Sequence, residues 1–116
     1  MSEDNQLLLV LITAPDLTTG RSLATALLSR KIAACVNIVP GVVSLYEWED
    51  DLQEDEEVLL LVKTRDELLK SDLIPLVHEL HPYDLPEILG LPITKGSQSY
   101  LDWLLRGTLG KQNSGQ

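Results

Sequence analysis

Val58-Leu59-Leu60-Leu61-Val62 follows directly on Glu47-Trp48-Glu49-Asp50-Asp51-Leu52-Gln53-Glu54-Asp55-Glu56-Glu57, and the step between them decides the fold. Five consecutive apolar residues bounded by charge are too few for an ordinary helix and read as a buried strand. On the far side of the acidic run, Val42 to Trp48 reads as extended chain. Two strands joined through a charged connection make an antiparallel hairpin. The run itself carries eight carboxylates in eleven positions. Hard cations take oxygen ligands, but the run lacks the glycine and regular spacing of a calcium-binding hand. A solvated hairpin tip is therefore expected.

Upstream, Cys35-Val36-Asn37-Ile38-Val39 is apolar and partly β-branched, so it begins the same strand. Pro40-Gly41 interrupts it and predicts a bulge, since proline cannot donate to a ladder. Leu7 to Ile12 is another short apolar run, ending at Thr13-Ala14-Pro15. Asp16 is a helix cap in waiting. Leu17, Leu23, Ala24, Leu27 and Leu28 then recur at helical spacing up to Arg30. Gly20 weakens that helix by up to about 1 kcal/mol relative to alanine.

Downstream, Asp66 to Leu80 is helical, with a stripe of Leu69, Leu73, Leu76, Val77 and Leu80. Pro75 inside a helix costs about 3 kcal/mol, so a break or kink is expected near Lys70 to Asp72, with Ser71 capping a fresh segment. The link His81-Pro82-Tyr83-Asp84-Leu85-Pro86-Glu87-Ile88 is stiffened by two prolines, each of which fixes its own φ and extends the residue before it. It displays an imidazole, a phenol and two carboxylates for a ligand, an interface or a hydrogen-bonded corner. Glu87 to Ile93, with Gly90 and Pro92, reads as an edge strand. Ser97 to Leu105 reads as a short amphipathic helix.

The pattern is β-α-β-β-α-β, the ferredoxin-like two-layer α+β sandwich with an extra C-terminal helix. Residues 1–106 form one domain and 107–116 a flexible C-terminal tail. Two helices on one face leave the other sheet face bare. Strands as apolar as Leu7–Ile12 and Val58–Val62 do not suit water, so self-association is the simplest cover.

Composition narrows the function. The chain has 116 residues, 44% hydrophobic and 23% charged, with no Phe, which suits a globular domain that needs no staples. The single Cys35 excludes an internal disulfide and reads as a small buried hydrophobe. A net charge of −9 argues against nucleic acid, whose binding rests on basic residues. No segment reaches the roughly 20 apolar residues of a membrane span. Ser2, Glu3 and Asp4 do not open a signal peptide. A cytoplasmic protein is expected.

Thr13-Ala14-Pro15-Asp16, Lys31 to Gly41, Ser44-Leu45-Tyr46-Glu47-Trp48, Lys63-Thr64, His81 to Ile88 and Tyr100-Leu101-Asp102-Trp103 form an ordered set that resembles the CutA family of divalent-cation tolerance proteins. The resemblance covers residues 7 to 106. It implies a homotrimer similar in architecture to PII signalling proteins, and a role in tolerance of copper and other divalent metals. For animal members it implies a part in acetylcholinesterase assembly. Three departures stand out. Ile12 occupies a position where some metal-binding members carry cysteine, Asp50-Asp51 stands where Gly-Lys is usual, and the stretch from Lys63 to His81 is about one residue longer.

Cu(II) and Zn(II) accept imidazole and carboxylate, so His81, Glu87 and Asp84 are the candidate metal ligands, for weak capture of copper or another divalent cation. No cofactor is required. The alternative for His81 and Glu87 is a hydrogen-bonded corner near an interface. His78, three residues before His81, is expected to face solvent. Tyr46, Trp48, Tyr83, Tyr100 and Trp103, all five aromatics, together with Lys63, are candidates for a subunit interface or a small-ligand pocket. No nucleophile motif or phosphate-cradling loop appears, so a non-enzymatic homotrimer is expected. The alternatives are a PII-like module binding a small effector between subunits and a protein-assembly factor.

Overall fold

The structure, a computed structural model, describes residues 6–113. Its order is β1 (Leu7–Ala14), α1 (Leu17–Ser29), β2 (Cys35–Trp48), β3 (Asp51–Arg65), α2 (Asp66–Leu68), a π turn (Leu69–Leu73), α3 (Ile74–Leu80), β4 (Ile88–Pro92) and α4 (Gln98–Asn113). The strands form one antiparallel sheet in the order β2-β3-β1-β4. β1 and β3 are central, which is why Leu7–Ile12 and Val58–Val62 are unbroken apolar runs. The expected edge strand is β4, which pairs with β1 alone.

Alternation along β1 and β3 sets the core. Leu8, Val10, Ile12 and Ala14 pair with Thr64, Val62, Leu60 and Val58, and all eight are buried. The side chains of Leu23, Leu27, Leu73, Leu76 and Val77 close over this face. Asp16 caps α1, accepting from Thr19 N–H at 2.8 Å, as its position after Pro15 predicts. Gly20 is not a mere weak point. A Cβ there would lie 3.1 Å from Val58 and 3.3 Å from Leu60, so glycine lets α1 approach the sheet.

The bulge expected at Pro40-Gly41 is present. The β2–β3 register shifts between Val39 and Val42, and Gly41 has φ 76°. The acidic run departs from expectation. Only Glu49 and Asp50 form the turn, with φ 51° and 68°; β3 begins at Asp51, which pairs with Trp48. Two left-handed residues match the twist of a tight hairpin, so the carboxylates lie along a strand, alternating between faces. The 15 residues of β3, at about 3.3 Å each, account for the long dimension of 46 Å.

The second helical region spans Asp66 to Leu80 as expected, and the irregularity expected near Lys70 to Asp72 is a π turn at Leu69–Leu73 rather than a break in the chain. Ser71 caps nothing, and its hydroxyl donates back to the Glu67 carbonyl at 3.0 Å. A π turn takes up one more residue than an α turn. It leaves Leu68 and Leu73, five apart, both buried, and lies within the stretch, Lys63 to His81, expected to be about one residue longer. Pro75 then falls at the start of α3, where its missing N–H is harmless.

The last helix also differs. It was expected to end at Leu105 but continues to Asn113. Thr108 is fully buried, and a Cβ on Gly107 would lie 2.8 Å from that of Ala34. Arg65, fully buried at the end of β3, donates from Nε to Thr108 Oγ1 and from Nη2 to the Thr108 carbonyl, both at 3.0 Å. It also pairs with Glu67. Helix α4 thus covers one end of the second sheet face. The expected N-terminal residues and 114–116 of the expected tail lie outside the described residues.

Candidate functional site

The proline-stiffened link is a hydrogen-bonded corner. His81 is buried, and its Nε2 lies 2.8 Å from the Thr13 carbonyl. Its Nδ1 accepts from the Tyr83 N–H at 3.2 Å. With Nδ1 accepting, the proton sits on Nε2 and is donated to Thr13. Both ring nitrogens are engaged. Pro82 permits this because it holds His81 extended, φ −80° and ψ 137°, which ends α3 and turns the ring back under β1.

Tyr83 continues the corner. Its ring lies 4.7 Å from that of His81, tilted by 51°, and its hydroxyl donates to Glu57 Oε2 at 2.9 Å. Glu57 is buried, although the acidic run reads as solvated throughout. Burial first, then the bond to Glu57, pushes the Tyr83 phenol well above its ordinary range. Two residues along the same face, Asp55 accepts from the Tyr46 hydroxyl at 2.5 Å. That bond holds the Tyr46 phenol up as well. The hairpin carboxylates on this face are therefore matched by phenols.

A second cluster lies where α4 crosses the sheet. Cys35 and Lys63 are cross-strand partners, with Lys63 Nζ 3.7 Å from Cys35 Sγ and also donating to the Asn37 side chain. The Tyr100 phenol is raised by its hydrogen bond to Cys35, with burial second. Tyr100 stacks on Trp103, with centroids 5.6 Å apart and planes at 24°. Cys35 is only half-buried. The expectation of a thiol packed among apolar neighbours is corrected by the register, which sets a lysine opposite it.

The five aromatics thus fall into two groups, Tyr46 with Tyr83 and Tyr100 with Trp103, while Trp48 stands exposed beside the hairpin turn. His78 is exposed, as expected, and so are Asp84 and Glu87. Among the described residues, no group of three or more His, Cys, Asp or Glu is arranged to hold a metal ion. His81, Asp84 and Glu87 share the link but are not gathered into a ligand set. Ile12, in the position of a family cysteine, is fully buried core.

Between the two clusters runs an apolar strip of the second sheet face. Leu9, Leu11, Leu59 and Leu61 are half-buried, and Leu89 and Leu91 on β4 are 55% and 45% exposed. On the opposite face, the arm beyond the helices exposes Val43, Leu45 and Leu52, the last 76% exposed. Among the described residues no helix is long and apolar enough to cross a membrane.

Residues 8–106 match the family described as CutA1 divalent ion tolerance protein. The chain is 50% identical over 99 residues to the divalent-cation tolerance protein CutA of Thermus thermophilus, covering 85% of this chain and 95% of that protein. It is 48% identical over 101 residues to the chloroplastic protein CutA of Arabidopsis thaliana, covering 87% of this chain but 55% of that longer protein. Among solved structures, the Thermus thermophilus cation tolerance protein superposes with TM-score 0.85 at 48% identity, over 88% of this chain and 98% of that one. CutA1 from Oryza sativa superposes with TM-score 0.87 at 45% identity, over 92% and 97%.

Proposed function

The chain belongs to the CutA1 divalent ion tolerance family, and on that premise we propose that it serves divalent-cation tolerance as a non-enzymatic, cytoplasmic homotrimer of ferredoxin-like subunits. The observation that carries the role is the match over residues 8–106, reinforced by relatives named for divalent-cation tolerance. The strand order β2-β3-β1-β4 with helices over one face supports the ferredoxin-like assignment. The exposed leucines of β4, continuous with Leu9, Leu11, Leu59 and Leu61, support assembly, since contiguous apolar surface of this kind marks interfaces.

In this reading the assembly is the functional unit and cation capture is weak. His81 can offer Nδ1 to copper only by giving up the Tyr83 amide, and Glu87 and Asp84, exposed on the same link, would have to swing towards it to join the set. Copper titration of the wild type beside His81→Ala and Glu87→Ala tests the metal claim. Weaker binding in both variants supports it, and equal binding by all three removes that pair. Light scattering on the eluted protein tests assembly. A mass three times the 12.9 kDa chain is expected, and a monomer at micromolar concentration overturns the trimer.

A further inference from the structure

We propose that the cleft between the end of α1 and α4 binds a small organic anion with a flat ring. The cleft has a volume of about 370 Å³ and is lined by Leu28, Lys31, Ala33, Ala34, Trp103, Arg106 and Gly107. That volume is at the lower end of ligand pockets, roughly 300–1,000 Å³, so it suits one ring system with one acid group.

Its chemistry is unlike that of the rest of the molecule. The protein has 9 Lys and Arg against 18 Asp and Glu, yet two of its cations line this cleft and no carboxylate does. Among the described residues, neither Lys31 nor Arg106 forms an ion pair. Trp103 and Arg106 are three apart on α4 and so share a helix face. The Trp103 ring is steadied by its stack on Tyr100 but remains 46% exposed, a fixed plane on which a second ring can lie. The floor is Ala33, Ala34 and Gly107, small residues whose close approach leaves the opening.

Lys31 supplies a second, separate observation. It sits at φ 62°, in the turn that ends α1, where its N–H bonds Leu28 O at 3.1 Å and the Ile32 N–H bonds Leu27 O at 3.0 Å. Glycine is the ordinary residue at that left-handed position. A lysine there stores strain, and its side chain has no hydrogen-bond or ion-pair partner among the described residues. An anion drawn to Lys31 and Arg106 from opposite walls gives the lysine a purpose.

The test uses the full chain carrying Trp48→Tyr, which makes Trp103 the sole tryptophan. Its emission is titrated with adenosine 5′-monophosphate and with benzoate, against adenosine and benzamide as neutral counterparts. Saturable quenching by one or both anions, and not by the neutral compounds, is expected; which anion works identifies the source as phosphate or carboxylate. Arg106→Gln is expected to weaken binding roughly tenfold, the scale of one lost charge-assisted bond. Lys31→Gly is expected to weaken binding similarly while raising Tm, because glycine relieves the left-handed residue. No quenching by either anion at 10 mM, equal quenching by the neutral compounds, or unchanged affinity in a well-folded Lys31→Gly would each overturn the proposal.

Discussion

Arg65 reaches from the last residue of β3 into the C-terminal helix and is held there by Thr108, whose hydroxyl accepts from Nε and whose carbonyl accepts from Nη2. The same hydroxyl lies 3.2 Å from the carbonyls of Leu104 and Leu105, to which it donates. One residue therefore serves a buried cation, which also pairs with Glu67, and its own helix together. Thr108→Val keeps the shape but removes the bond from Nε to Oγ1. A loss of about 1.5–3 kcal/mol is expected, the scale of a hydrogen bond to a charged group. Urea unfolding at fixed protein concentration measures it, and a loss below a few tenths would show that α4 is held by apolar packing alone.

Tyr83 makes stability depend on alkaline pH. Its phenol is raised above the unfolded value of 10.0, so the native state favours the protonated form. The resulting stabilisation is fully present below about pH 10 and is lost as pH climbs towards the higher native value. Wild type should lose stability above pH 10 more steeply than Tyr83→Phe, which has no proton to release there. Denaturation midpoints from pH 8 to 11.5 give the comparison; parallel profiles would refute the assignment to Tyr83.

The hairpin turn should be improvable. Glu49 and Asp50 both hold left-handed φ, where an L-residue costs about 1–2 kcal/mol. Glycine is relieved of most of that cost, and Asp-Gly or Asn-Gly is the preferred pair for such turns. Asp50→Gly is expected to raise stability by about 1 kcal/mol and to lift Tm by a few degrees, with Asp50→Val lowering both. Differential scanning calorimetry separates the three proteins.

His81 is expected to matter for stability even where no metal is present. His81→Ala leaves the Thr13 carbonyl and the Tyr83 N–H without their partner, at a cost of about 1–3 kcal/mol. Metal-free unfolding curves in the presence of a chelator isolate that effect. An unchanged midpoint would mean that water replaces the ring without loss.

The reach of the sequence can be seen in these same residues. Val58 to Val62, Leu7 to Ile12 and the α1 stripe announce strands and helix through local period, and they were legible. The corner was legible in part, because two prolines can only present His81 in a few ways, but its partners are Thr13 and Tyr83 and not the expected Glu87. Partners far apart in the chain were not. Nothing near Thr108 hints at Arg65, 43 residues earlier, so the polar segment after Leu105 reads as frayed. Glu57 is hidden among carboxylates until Tyr83, 26 residues on, shows that this one is covered. Lys63 meets Cys35 only once the hairpin register is known, and that register depends on a turn of two residues rather than eleven.

The π turn at Leu69–Leu73 has a consequence for descent as well as for shape. Elsewhere in a helix, adding or deleting one residue rotates everything beyond it by about 100°, which would swing Leu76 and Val77 out of the core. Here a wider loop of backbone absorbs the difference and leaves both ends in phase. The chain can therefore gain or shed a single codon at this point, and relatives of differing length can share one sheet and one corner at His81.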